Sequence, residues 1–145
     1  MNRLTVLKIS ILFILFSNCA YYNTFYNAEK SYEDAEKIIE ETKKKDNEDI
    51  PPQAKKLLDL SIEKSRKVIE EYSDSKYVDD AFYLIGKSSF KKGDYQYAEK
   101  HFRQLLNEFP QSKFNRESKI WLAYTYLRMN VFDSTIIILD NIDRN

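Results

Sequence analysis

Catalysis needs nucleophiles, acids, bases or metal ligands at workable spacing, and this chain offers few of them. Its 145 residues include one cysteine and one histidine. Cys19 has no second cysteine with which to form a disulfide or a Cys-rich zinc site. His101 lies in a charged stretch beside Phe102, without the carboxylate and nucleophile spacing of a catalytic triad. Glu40-Glu41 and Glu70-Glu71 are adjacent pairs, so on a helix their side chains do not share a face and read as solvated charge. Gly86 and Gly93 do not form a phosphate-cradling loop. No catalytic residue, metal ligand set, cofactor or small-molecule substrate is expected, and the chain is read as a non-enzyme. The 23 basic residues are matched by 23 acidic ones, which gives no electrostatic footprint for nucleic acid.

Cys19 carries the most definite chemical expectation. Arg3 and Lys8 lead into the apolar run Ile9-Ser10-Ile11-Leu12-Phe13-Ile14-Leu15-Phe16. That run is shorter than the roughly 20 residues of an ordinary spanning helix and has the size and basic lead-in of a secretory leader. The segment Leu15-Phe16-Ser17-Asn18-Cys19 resembles a bacterial lipobox, with Ser17 in keeping and Phe16 and Asn18 as departures. The resemblance implies a signal peptide over residues 1–18 and acyl chains, palmitate among them, on Cys19. The alternatives are an ordinary buried thiol or the end of an uncleaved anchor. Removing Arg3 and Lys8 from the 23 basic residues leaves 21 against 23 acidic ones, a slightly acidic mature body.

The elements that follow are helical. Two glycines and three prolines cannot supply the many tight turns of a sandwich or barrel. Ala28, Tyr32, Ala35, Ile38 and Ile39 recur at helical spacing, after the aromatic opening Tyr21-Tyr22-Asn23-Thr24-Phe25-Tyr26. The aromatic opening is read as core beneath the first helix, with a place at the membrane interface as the alternative. The run Lys43-Lys44-Lys45-Asp46-Asn47-Glu48-Asp49 reads as a solvated loop. Pro51-Pro52 starts a second helix, and Ser73-Asp74-Ser75 breaks it and is expected to cap the third. Gly93 is placed as a left-handed helix terminus and Asp94 as the next cap; Pro110 stops the fourth helix. Two more helices carry Ile120, Trp121, Ala123, Tyr124 and Leu127, then Phe132, Ile136, Leu139 and Ile142. Trp121 is read as core.

The helices repeat in pairs. A shift of 37 residues carries Ser75 onto Ser112, Tyr77 onto Phe114, Ile85 onto Leu122, Gly86 onto Ala123 and Phe102 onto Leu139. Small residues at 61, 98 and 135 mark close helix approaches. This period is that of a helical solenoid. Residues 79–112 resemble a tetratricopeptide repeat (TPR), through Phe82, Ile85-Gly86, Gly93-Asp94-Tyr95, Ala98, Phe102 and Pro110, with Ser89 in place of the usual tyrosine. The next repeat has Asn130 for the turn glycine and Thr135 for the alanine. The expected fold is all-α, a TPR-type solenoid of antiparallel pairs over residues 19–145, with pairs at about 24–72, 76–110 and 113–145.

A lipobox, an aromatic cluster and the segments Tyr72-Ser73-Asp74-Ser75-Lys76-Tyr77 and Phe109-Pro110-Gln111-Ser112-Lys113-Phe114 together resemble the BamD-like family, the TPR lipoproteins of the β-barrel assembly machinery. The resemblance implies a lipid-anchored scaffold at the periplasmic face of the bacterial outer membrane, whose partners are assembly components or unfolded barrel segments. Alternatives are an adaptor of the Tol–Pal system for division and envelope integrity, or an accessory subunit of an envelope enzyme or secretion complex. The family's solenoid usually holds more repeats than are legible here, so its full partner surface is not expected. By the same resemblance Asp80, Tyr83, Lys87, Phe90 and Lys91 line the concave groove, with Glu117, Ile120, Tyr124, Leu127 and Arg128 as their counterparts one repeat on. The groove residues expected to meet a partner are Tyr83, Lys87, Phe90, Lys91, Tyr124 and Arg128, the cations pairing with carboxylates of an extended peptide.

Overall fold

A computed structural model describes the backbone of residues 3–43 and 49–143, and the side chains of 22–43 and 49–142. The described residues form helices α1 (Arg3–Lys43), α2 (Pro52–Glu71), α3 (Val78–Lys92), α4 (Tyr95–Glu108), α5 (Asn115–Arg128) and α6 (Phe132–Asp143), and include no strand. Each helix packs on the next in sequence, which makes three antiparallel pairs. Among the described residues α1 also touches α3 and α3 touches α5, whereas α2, α4 and α6 make no such contact with one another. The first helices of the pairs are therefore the closely spaced layer, and a stack tighter on one side must curve toward it. The fold is the expected TPR-like helical solenoid.

The 37-residue period reappears in the backbone hydrogen bonds. Tyr72 N–H donates to the Val68 carbonyl at 3.0 Å, and Phe109 N–H to Leu105 at 2.8 Å. Tyr77 N–H donates to Ser75 Oγ at 3.2 Å, and Phe114 N–H to Ser112 Oγ at 3.1 Å. These bonds correct the expected cap. Ser75 closes the turn two residues before the helix, and Tyr77, the residue at the N-cap, makes no side-chain cap bond. A serine hydroxyl that reaches the amide two residues on stabilises the turn rather than the helix end.

The turn inside the α3–α4 pair recurs in the α5–α6 pair. Gly93 ends α3 at φ 85° and Asn130 follows α5 at φ 61°, both left-handed. Asp94 N–H donates to Ser89 O at 2.9 Å and Val131 N–H to Tyr126 O at 2.9 Å, satisfying carbonyls that the helix ends would leave open. Asp94 then accepts from Tyr97 N–H and caps α4.

Two clusters form the core. Phe25, Ala28, Tyr32, Ala35 and Ile39 of α1 meet Ala54, Leu58 and Val68 of α2 and Ala81 and Leu84 of α3. Val78, Phe82 and Tyr83 of α3 meet Phe102 and Leu105 of α4 and Leu122 and Tyr126 of α5. Helix α3 serves both clusters and is buried on nearly every side. Where α3 and α4 cross, a Cβ on Gly86 would lie 2.5 Å from the Phe102 ring, which accounts for the glycine.

Several expectations change in detail. The first helix begins at Arg3 rather than near residue 24, and its backbone runs through residue 19 without a break, since no glycine or proline interrupts residues 3–43. The side chain of Cys19 lies outside the described residues, as do residues 44–48 of the charged loop. Of the aromatic opening, Phe25 is buried and stacks on Tyr77 at 5.0 Å, whereas Tyr22 and Tyr26 are exposed. The core reading thus holds for Phe25 alone among the described members.

Candidate partner-binding groove

Helices α1, α3 and α5 present one face of the stack, and α3 runs along its middle. Asp80, Tyr83, Lys87 and Lys91 recur at three- and four-residue spacing, so one stripe of α3 carries them all. Tyr83 is held on two sides. Its hydroxyl donates to Glu117 Oε2 at 2.6 Å, and its ring stacks on Phe114 with centroids 4.3 Å apart. Burial and the Glu117 carboxylate both keep that hydroxyl protonated.

Lys87 occupies the centre of the groove. Its Nζ lies 4.6 Å from the Tyr32 ring centroid, 5.5 Å from Tyr83 and 5.6 Å from Trp121. Ring faces carry the negative end of a quadrupole, so this aromatic enclosure favours a cation. Burial nevertheless draws the Lys87 ammonium below its ordinary pKa, against the pull of Glu36 and Glu117. One turn further on, Lys91 Nζ pairs with Glu36 Oε1 at 2.9 Å. Burial works against the Glu36 charge, but the Lys91 bond and the neighbouring hydrogen-bonding and charged groups outweigh it and hold the carboxyl below its ordinary range. At the other end Lys113 pairs with Asp80 Oδ1 at 2.9 Å, yet burial still raises Asp80.

Two clefts lie along α3, and Lys87 lines the first of them. One, of about 210 Å³, lies between α1 and α3 and is lined by Glu29, Tyr32, Glu33, Glu36, Asp80 and Tyr83 among others. The other, of about 250 Å³, includes Lys43, Phe90, Lys91, Tyr95, Trp121 and Arg128. Phe90 meets Trp121 edge-on at 5.2 Å and Tyr95 at 5.4 Å, and Arg128 lies over the Tyr95 ring at 5.3 Å. Tyr124 is 53 % exposed, with its ring 6.1 Å from Trp121.

Tyr83 and Lys87 line the first cleft, and Phe90, Lys91 and Arg128 line the second; Tyr124 stands at the edge of the second, against Trp121. The chain's own groups already engage Lys87 and Lys91, so these two cations are not simply displayed for a guest carboxylate. Trp121, expected in the core, is half-buried: it packs against the second core cluster and also forms a wall of the groove. The α1 contribution of Glu29, Tyr32, Glu33 and Glu36 was not anticipated. The signal available for it was the spacing of Tyr32 and Glu36, which puts both on one face of the first helix of a pair.

The residues weighed for catalysis have structural surroundings. His101 is buried between the rings of Phe82 and Tyr97, and its Nδ1 is 2.8 Å from the Tyr97 carbonyl. Burial lowers its pKa, which favours the neutral ring. Glu70 and Glu71 each pair with a base one turn back, Arg66 and Lys67. Among the described residues, no group of three or more His, Cys, Asp or Glu is placed to hold a metal ion, and no helix is long and apolar enough to cross a membrane.

Comparison with known families locates the resemblance in the chain. Residues 79–144 match the family model YfiO, described as an outer membrane lipoprotein. The match spans the α3–α4 and α5–α6 pairs, so the resemblance to BamD-like TPR lipoproteins is supported there. No curated protein matches the chain.

Proposed function

We propose that this chain is a protein-interaction scaffold, tethered in the bacterial envelope by lipid on Cys19, whose concave face takes a segment of a partner protein during outer-membrane β-barrel assembly. The observation that carries this reading is the match of residues 79–144 to an outer membrane lipoprotein family, because those residues build two of the three helix pairs behind the groove. The groove supports it. Rigid aromatic walls give contact area at little entropic cost, and the charged groups beside them give orientation. The lipobox-like leader supports the tether, since two or more acyl chains anchor a protein stably.

The test places a photo-crosslinking amino acid at Tyr124, which is exposed at the groove edge, and irradiates intact cells. Barrel-assembly components or unfolded barrel chains are expected on the crosslinked product. Recovery of Tol–Pal components, or of an envelope enzyme or secretion complex, would overturn the assembly role and leave the scaffold. In parallel, a Cys19→Ala chain is expected to leave the membrane on high-salt washing. Retention there would show that lipid is not the anchor.

A further inference from the structure

The charges of the groove are sorted along α3. One cleft carries Glu29, Glu33, Glu36 and Asp80 beside Lys87; the other carries Lys43, Lys91 and Arg128, with Asp49 also lining it, and within these sets Asp80 is already paired with Lys113 and Lys91 with Glu36. Asp80 and Lys91 lie on one helix, which at 1.5 Å rise per residue sets them about 16 Å apart. An extended segment of about five residues covers that distance.

We propose that the groove selects a partner segment of mixed charge lying along α3, with a basic side chain in the Glu29–Glu33–Asp80 cleft and an acidic one beside Lys43 and Arg128. This rests on the reading that the concave face binds a partner segment, and adds the chemistry and orientation of that segment.

Four observations carry it. First, Glu29 and Glu33 are exposed and have no ion-pair partner among the described residues, and the same is true of Lys43. Second, helix polarity accounts for Asp80 in the first turn of α3 and for Lys43, Lys91 and Arg128 in last turns, but not for Glu29 and Glu33. Acidic side chains gather in first turns because they complement the helix dipole, but Glu29 and Glu33 stand far beyond the first turn of α1. Third, Tyr32 lines the acidic cleft at 4 % exposure, and its ring already faces the Lys87 ammonium. That wall accepts cations. Fourth, burial and the neighbouring Glu33 and Asp80 push Glu29 above the usual carboxylate range against the pull of Lys113, so a further cation beside it would favour its charged form.

The experiment measures binding of labelled peptides to the full chain in detergent by fluorescence anisotropy. The mixed-charge probe is a blocked peptide with paired arginines at one end, paired glutamates at the other and Ser-Tyr-Val-Tyr-Ser between. Its controls carry glutamines at both ends, arginines at both ends, or glutamates at both ends. The mixed-charge peptide is expected to bind about tenfold more tightly than the neutral one at low salt, with the advantage shrinking as salt rises. Glu29→Gln with Glu33→Gln, and separately Lys43→Gln with Arg128→Gln, should each remove part of that advantage. All four side chains are exposed, and circular dichroism checks that the helices persist. Equal binding of neutral and mixed-charge peptides overturns the charge sorting and leaves the groove. Tighter binding of the arginine-only or glutamate-only peptide overturns the mixed-charge guest. Binding of none of the peptides overturns both readings.

Discussion

At the scale of single residues, small side chains decide how closely the helices approach. Gly86 has no room for a methyl group because the Phe102 ring is fully buried against it. One repeat later the equivalent positions hold Ala123 and Leu139, a methyl group and a smaller side chain that is 46 % exposed. Gly86→Ala is therefore expected to lower stability by about 1–3 kcal/mol through overpacking, less whatever alanine gains in helix propensity. Adding Phe102→Leu, which copies the second repeat, should recover part of the loss. Urea unfolding of the two single variants and the double one checks this, and strict additivity would show that the two residues are not coupled. The hydroxyls of Ser65, Ser89 and Ser118 are buried with no partner, and the counterpart of Ser118 one repeat back is Ala81. At that position small size, not polarity, is what the packing requires.

At the scale of elements, the α3–α4 and α5–α6 pairs are each closed by one residue in the left-handed region. Gly93 adopts it freely, and a Cβ there would meet nothing within 4 Å, so its only constraint is the backbone. Gly93→Ala is expected to cost about 1–2 kcal/mol. Asn130 tolerates the same region less well than glycine, so Asn130→Gly should leave stability unchanged or raise it by less than about 1 kcal/mol. Denaturation midpoints of both variants measure the pair. Destabilisation by Asn130→Gly would mean that the asparagine side chain, and not the backbone angle, holds the second turn. Ser75 and Ser112 show a different division of labour. Both tie the turn between pairs, and Ser112 Oγ also donates to Asp79 Oδ2 at 2.7 Å, which links that turn back to α3.

At the scale of the whole molecule, stability is shared between neighbouring pairs, as expected of a stack in which each repeat contacts only the next. Helix α3 packs on both sides. Among the described residues α6 packs on α5 alone and leaves Phe132, Ile136, Ile137 and Leu139 exposed. Hydrogen exchange is expected to show the slowest amides in α3 and the fastest helical ones in α6, because local opening costs least where the fewest contacts are lost. Protection of α6 equal to that of α3 would show that the stack opens as one unit. The groove belongs to this scale too, since its walls come from three helices that lie far apart in the chain.

The sequence by itself determined the helices, their pairing and the left-handed turn, because those depend on apolar spacing within a helix and on residues a few positions apart. The 37-residue repeat located Gly93 and Asn130 at equivalent turns before any contact was known. It did not determine the character of the groove. Lys87 and Lys91 read as free cations in sequence, and only the stacking of α1 against α3 brought Tyr32 and Glu36 onto them. Trp121 read as core and does pack against it, but its second role in the groove was hidden for a related reason: an apolar stripe shows that a helix packs on something, not which part of it also reaches the open concave face. The charge of a surface made from separate helices is set by how they stack, and stacking depends on contacts that no local pattern encodes.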